Sequence, residues 1–259
     1  MTPALHTVRS GPPDAPAVLL LHGGGLSSWS WQEQRPALHG WQTLTPDLPG
    51  HGLSPGPFSL AGAAAHLAAL LEHTGPARVI GLSVGSQLAL TLLAQRPDLI
   101  HSALLSGTLA LPTRLGAWLS GPPNDLLTRL TWPAHTGPTT LTLQRLAMNL
   151  PARHAHHLAR DARTVTRQTH LDLTRENLTY RPDPGLARTT VPVTLLVGSR
   201  EHDILHRSAR HLTQLLPLAR AYRVPHMTHL WPLTHPQHYN AVLHAWLHGQ
   251  PLPDALQPL

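Results

Sequence analysis

Through its first hundred residues the chain alternates apolar runs of strand length with stretches of helical periodicity, and few folds accept that alternation. The runs "AVLLLHG" (17–23), "QTLTPDL" (42–48), "ARVIGLS" (77–83) and "SALLSG" (102–107) each end near Gly, Pro or Asp. Between them, "SLAGAAAHLAALLEHTG" (59–75) and "VGSQLALTLLAQRPD" (84–98) repeat apolar residues every three or four positions. Ser59 is placed to cap the first of these helices and Gly75 to stop it. Strands apolar on both faces and joined by helices require a parallel sheet covered on both sides.

The alternation lapses from about 108 to 189, where helical stretches occur without a strand-like run. It resumes with "VPVTLLVG" (191–198), a helix near 206–216, "ARAYRV" (219–224) and a last helix near 235–248. This layout predicts an α/β core built from residues 1–107 and 190–259, with 108–189 inserted as a helical lid. No internal repeat or low-complexity linker interrupts it.

Composition excludes several functions. The longest apolar run, "AVLLL", falls far short of the about 20 residues of a membrane span. The opening residues lack the basic and apolar regions of a secretory signal, so a cytoplasmic location is expected. With no cysteine, disulfides and thiol catalysis are ruled out. The 19 arginines, unaccompanied by lysine, give a net charge of +6 but are scattered singly, so no nucleic-acid partner is expected. The 21 histidines mean that a catalytic or metal-binding His needs a positional argument. "HAHH" (154–157) is expected on a solvated helix face and not at a metal.

One stretch demands a chemical explanation. "GLSVGSQ" (81–87) sets Ser83 between Gly81 and Gly85, just after a strand and just before a helix. Glycines flank a serine in this way where a sharp bend brings backbone too close for side chains and leaves the hydroxyl exposed. At this point the chain resembles the α/β-hydrolase family over nearly all its length. The resemblance rests on "LLHGGGLSSWSW", "PDLPGHGLS", "GLSVGSQLAL", "VGSRE" and "HMTHLW", five segments in the family's order.

That resemblance implies a mostly parallel, doubly wound sheet with an inserted lid, and a serine hydrolase that needs no cofactor or metal. It implies a small-molecule acyl substrate, a small to medium carboxylic ester, and leaves the natural substrate, chain length and oligomeric state open. Ser83 is the implied nucleophile and His229 the base, with His226 as a rival in a turn that lacks the family's usual glycines. The acid is Glu201, counted three residues on from Gly198, with Asp203 as the alternative. Backbone N–H groups of Gly24 and Val84 are the implied oxyanion donors. A ligand-binding protein on the same scaffold with little turnover is the alternative function. Asp47 and His51 read as residues that hold a turn, or else as a second acid and base. Trp29, Trp31, Trp118 and Trp132 read as core residues, or else as walls of an acyl pocket.

Overall fold

A computed structural model of the chain describes residues 4–259. Eight strands form one sheet: β1 (Thr7–Ser10), β2 (Ala17–Leu21), β3 (Gln42–Pro46), β4 (Ala77–Leu82), β5 (Ile100–Ser106), β6 (Val193–Gly198), β7 (Ala219–Val224) and β8 (Gln257–Pro258). Their order is β1-β3-β2-β4-β5-β6-β7-β8. The two edge strands, β1 and β8, pair antiparallel, and all six strands between them run parallel. These edge strands are short and carry no long apolar run, which is why the sequence pattern passes over them.

The six central strands fall close to the runs expected from their apolar content. Strand side chains alternate between faces, so neighbours serve two separate cores. Leu19, Leu21, Val79, Leu105 and Leu195 pack with α1 (Leu60–Thr74), α2 (Val84–Gln95) and α8 (Asp203–Leu215) on one face. Val18, Leu20, Ile80, Leu104 and Leu196 pack on the other with Trp29, Trp31 and two further helices, α9 (Trp231–Thr234) and α10 (Pro236–Leu247). Each fully buried leucine contributes roughly 1.5–3 kcal/mol of transfer free energy, so two filled faces hold the sheet.

Local signals set the helix ends. Ser59 Oγ accepts the Gly62 N–H at 3.1 Å, capping α1, and Gly75 at φ +89° ends it by donating its N–H to Leu71 O at 2.8 Å. The helix expected near 206–216 begins earlier, at Asp203. Between β5 and β6 lie α3 (Arg114–Leu119), α4 (Pro122–Thr131), α5 (Pro138–Ala147), α6 (Ala155–Thr164) and α7 (Arg167–Thr179), and no strand among the described residues. None of the α5 residues is buried, so this helix is more loosely packed than the sheet. Among the described residues no helix is long and apolar enough to cross a membrane.

Candidate active site

Parallel strands leave their loops at one end, and ligands of open α/β sheets bind outside the carboxyl ends. Here the loops after β2, β4, β5, β6 and β7 deliver Gly24, Ser83, Gly107, Glu201 and His229 to that end.

Ser83 has φ +55° and ψ −118°, a strained geometry for a residue with a side chain. Its N–H donates to Ser106 O at 2.8 Å, tying the bend to β5. The flanking glycines are steric necessities. A Cβ on Gly81 would lie 2.7 Å from Ser86 Cα, and one on Gly85 2.2 Å from Leu21 O. Thus the bend is wedged between β2 and α2 and aims the hydroxyl outward. The N–H of Val84, at the first position of α2, has no intrahelical acceptor and sits at the positive end of the helix dipole.

His229 follows β7, and its Nδ1–H donates to Glu201 Oε2 at 2.8 Å. Glu201 Oε1 accepts the Gly198 N–H, also at 2.8 Å, and its side chain is 1% exposed. Because the carboxylate only accepts, Nδ1 carries a ring proton, and in the neutral imidazole Nε2 is then the atom with the free lone pair. Ser83, His229, Gly24, Leu26, Met148 and Asn149 line one cavity of about 230 Å³. Ser83, His229 and Gly24 therefore meet there, with Glu201 behind the imidazole and Val84 next to the serine.

The rival residues lie elsewhere. Asp203 is exposed at the start of α8, and among the described residues its carboxylate has no hydrogen-bond partner. His226 is exposed at φ +63°, and its backbone N–H donates to Ser199 Oγ at 2.8 Å. Two contributors escaped sequence reasoning. Gly107, at φ +62°, lies under the pair: a Cβ there would be 2.6 Å from His229 Cε1 and 3.2 Å from Glu201 Oε2. Leu173 of α7 presses on Gly24, where a Cβ would lie 2.8 Å from Leu173 Cδ2. The glycine that ends the β5 run was the hint the sequence offered for the first, and periodicity gives none for the second.

Asp47 and His51 do not pair. The Asp47 carboxylate accepts N–H groups of Ser28 at 2.7 Å and Leu53 at 2.9 Å, and it faces His6 Nδ1 at 3.0 Å. Burial pushes its pKa up, but those backbone donors outweigh burial and hold it below the usual carboxylate range. The pair therefore shapes the turn. "HAHH" departs from expectation: His154 is buried, and His157 stacks on Trp29 with ring centroids 4.5 Å apart, leaving only His156 exposed among its histidines. Asp161 explains the inward turn, since its buried carboxylate accepts Trp29 Nε1–H at 2.6 Å and the Ser27 hydroxyl at 3.0 Å. Trp29 and Trp31 are core residues, whereas Trp118 is half exposed and Trp132 lines a cavity within the insert.

His22 is wholly buried, with Nδ1–H donating to Gly23 O at 2.8 Å and Nε2 accepting the Leu48 N–H at 2.9 Å. Burial, and then the neighbouring His51, depress its pKa to about 3. The unfolded chain, with the ordinary value of 6.5, takes up this proton first. Stability is accordingly complete above that value and drains as the pH falls toward 3. Urea unfolding at pH 7.5, 6 and 5 should show this decline. His22→Asn, which offers a donor and an acceptor but does not titrate, should make it shallower, His51 supplying the remainder through its own burial-depressed pKa.

Comparison with known proteins adds three findings. A model described as "Alpha/beta hydrolase family" matches residues 18–241. A stretch of 106 residues is 38% identical to the pimeloyl-[acyl-carrier protein] methyl ester esterase of Neisseria meningitidis serogroup B, covering 39% of this chain and 40% of that protein. Another of 97 residues is 40% identical to the magnesium-chelatase 30 kDa subunit of Rhodobacter capsulatus, covering 35% and 34%. The chain thus matches well under half the length of these curated relatives. The crystal structure of the enol-lactonase from Burkholderia xenovorans LB400 is similar with a TM-score of 0.77 at 19% identity, covering 94% of this chain and 96% of that one, a likeness of fold.

Proposed function

The chain belongs to the alpha/beta hydrolase family, and from that premise we propose that it is a serine hydrolase cleaving a small to medium carboxylic ester or related acyl bond through an acyl-enzyme. The observation that carries this reading is the 2.8 Å bond from His229 Nδ1 to the buried Glu201, with Ser83 on the same cavity.

In the proposed reaction, Ser83 Oγ attacks the acyl carbonyl while His229 Nε2 takes its proton. Glu201 holds the imidazole in the required tautomer and stabilises the imidazolium. The developing oxyanion accepts the N–H groups of Gly24 and Val84, each worth about 3 kcal/mol to the transition state. His229 then returns the proton to the leaving alkoxide, and water, activated by the same imidazole, releases the acid. The helices of 108–189 act as a lid over this cavity. Named esterases among the relatives support the ester as substrate class.

A p-nitrophenyl ester tests the reading. It should give a burst of about one equivalent of p-nitrophenol per protein, followed by a slower steady rate. The second reading is a ligand-binding protein on the same scaffold with little turnover. It requires the burst to be absent.

A further inference from the structure

The loop that carries Gly24 opens with three consecutive glycines, Gly23 to Gly25. Glycine loses more conformational freedom on ordering than any other residue, so such a loop keeps one shape only where something outside it holds it. Two buried carboxylates grip its far end. Asp47, at the end of β3, accepts the Ser28 N–H at 2.7 Å. Asp161, in α6 of the insert, accepts the Ser27 hydroxyl at 3.0 Å on one oxygen and the Trp29 Nε1–H at 2.6 Å on the other. A turn relays this grip toward Gly24, because the N–H of Leu26, the neighbour of Ser27, donates to Gly23 O at 3.3 Å.

The Asp161 side chain is wholly buried. A carboxylate is costly to bury, and an apolar side chain of similar size often fills such a space as stably. What the carboxylate adds here is direction. Its side-chain partners all donate, which suits an acceptor-only group, and two of the three stand in the loop segment after Gly24. The third, Arg160, donates through Nη2 to Asp161 Oδ1 at 3.3 Å and to Ser27 Oγ at 3.2 Å, so the Ser27 proton is left to face Asp161.

We propose that Asp161 is a positioning residue, which holds the glycine loop from the insert so that the Gly24 N–H points at the developing oxyanion. This rests on the serine-hydrolase reading, in which Gly24 is a donor to that oxyanion. Asp161 lies outside the lining of the Ser83 cavity and acts through Ser27 and Trp29. Oxyanion contacts strengthen in the transition states of acylation and deacylation alike. A misaimed donor therefore slows both steps together, so kcat falls while KM stays.

On p-nitrophenyl acetate, Asp161→Ala should lower kcat at least tenfold with KM within twofold of wild type, since a displacement of about 1 Å costs about 100-fold. Trp29→Phe is the milder variant should Asp161→Ala fail to fold. It removes one donor, leaves the carboxylate to Ser27 and Arg160, and should lower kcat at least threefold, again without a change in KM. Thr113→Ala, which removes the N-cap of α3 elsewhere in the insert, loosens the insert without touching the loop and should keep kcat within twofold of wild type. The proposal is overturned if the folded Asp161 and Trp29 variants keep wild-type kcat, if their loss lies in KM alone, or if Thr113→Ala loses as much. Hydrogen exchange of the Leu26 and Ser28 amides, followed by NMR, reads the loop without turnover. Both amides should exchange at least tenfold faster in Asp161→Ala, and unchanged exchange overturns the proposal whatever the rates. Faster exchange in a protein whose wild type hydrolyses no ester would uphold the anchor and overturn the serine-hydrolase reading.

Discussion

Replacing Ser83 with Ala should lower kcat for any ester substrate by about 10⁶-fold, because the proposed nucleophile is lost together with the proposed covalent route. The protein should remain folded, since the Ser83 side chain makes no capping bond to α2 and the bend is held by the glycines and the Ser83 N–H. A second substitution separates chemistry from architecture. At φ +55° a side chain is strained, so Ser83→Gly should stabilise the fold by about 1 kcal/mol while abolishing turnover just as completely. Urea midpoints and steady-state rates on the two variants check both halves. A stability gain with loss of activity is the mark of strain retained for function.

The next largest effect is expected at Glu201. Glu201→Gln keeps the shape of the buried side chain but turns an acceptor-only group into one that can offer N–H to the imidazole. The ring would then hold its proton on Nε2, the atom that must accept from Ser83, and kcat should fall by about 10⁴-fold. Asp203→Asn, at the exposed start of α8, should change kcat by less than about threefold, as surface substitutions away from the reacting groups do. Steady-state rates of both variants decide the pair. Equal losses, or a larger loss at Asp203, would reassign the acid.

The central sheet was readable in the sequence because parallel strands buried on both faces are mostly apolar, and all six central strands start within two residues of their runs, Ile100–Ser106 and Val193–Gly198 being two residues off. The edge strands escaped because Thr7–Ser10 and Gln257–Pro258 are partly or fully exposed and obey no such rule. Ser83 could be read from the glycines that its bend demands. Glu201 was legible only as one of two carboxylates, since the choice depends on where the β6 turn sends each side chain. That turn directs Glu201 Oε1 back to the Gly198 N–H. The inward-facing histidines of the insert were misread because their partner, Trp29, lies more than a hundred residues earlier in the chain, and helical periodicity does not record such a distance.

Everything functional turns on whether the imidazole of His229 activates the hydroxyl of Ser83. Labelling with a fluorophosphonate, followed by peptide mass spectrometry, tests this most directly. The account predicts stoichiometric modification of Ser83 in the wild-type protein and a rate lowered by orders of magnitude in folded His229→Ala. Modification of another residue, or of Ser83 at the same rate without His229, would contradict it.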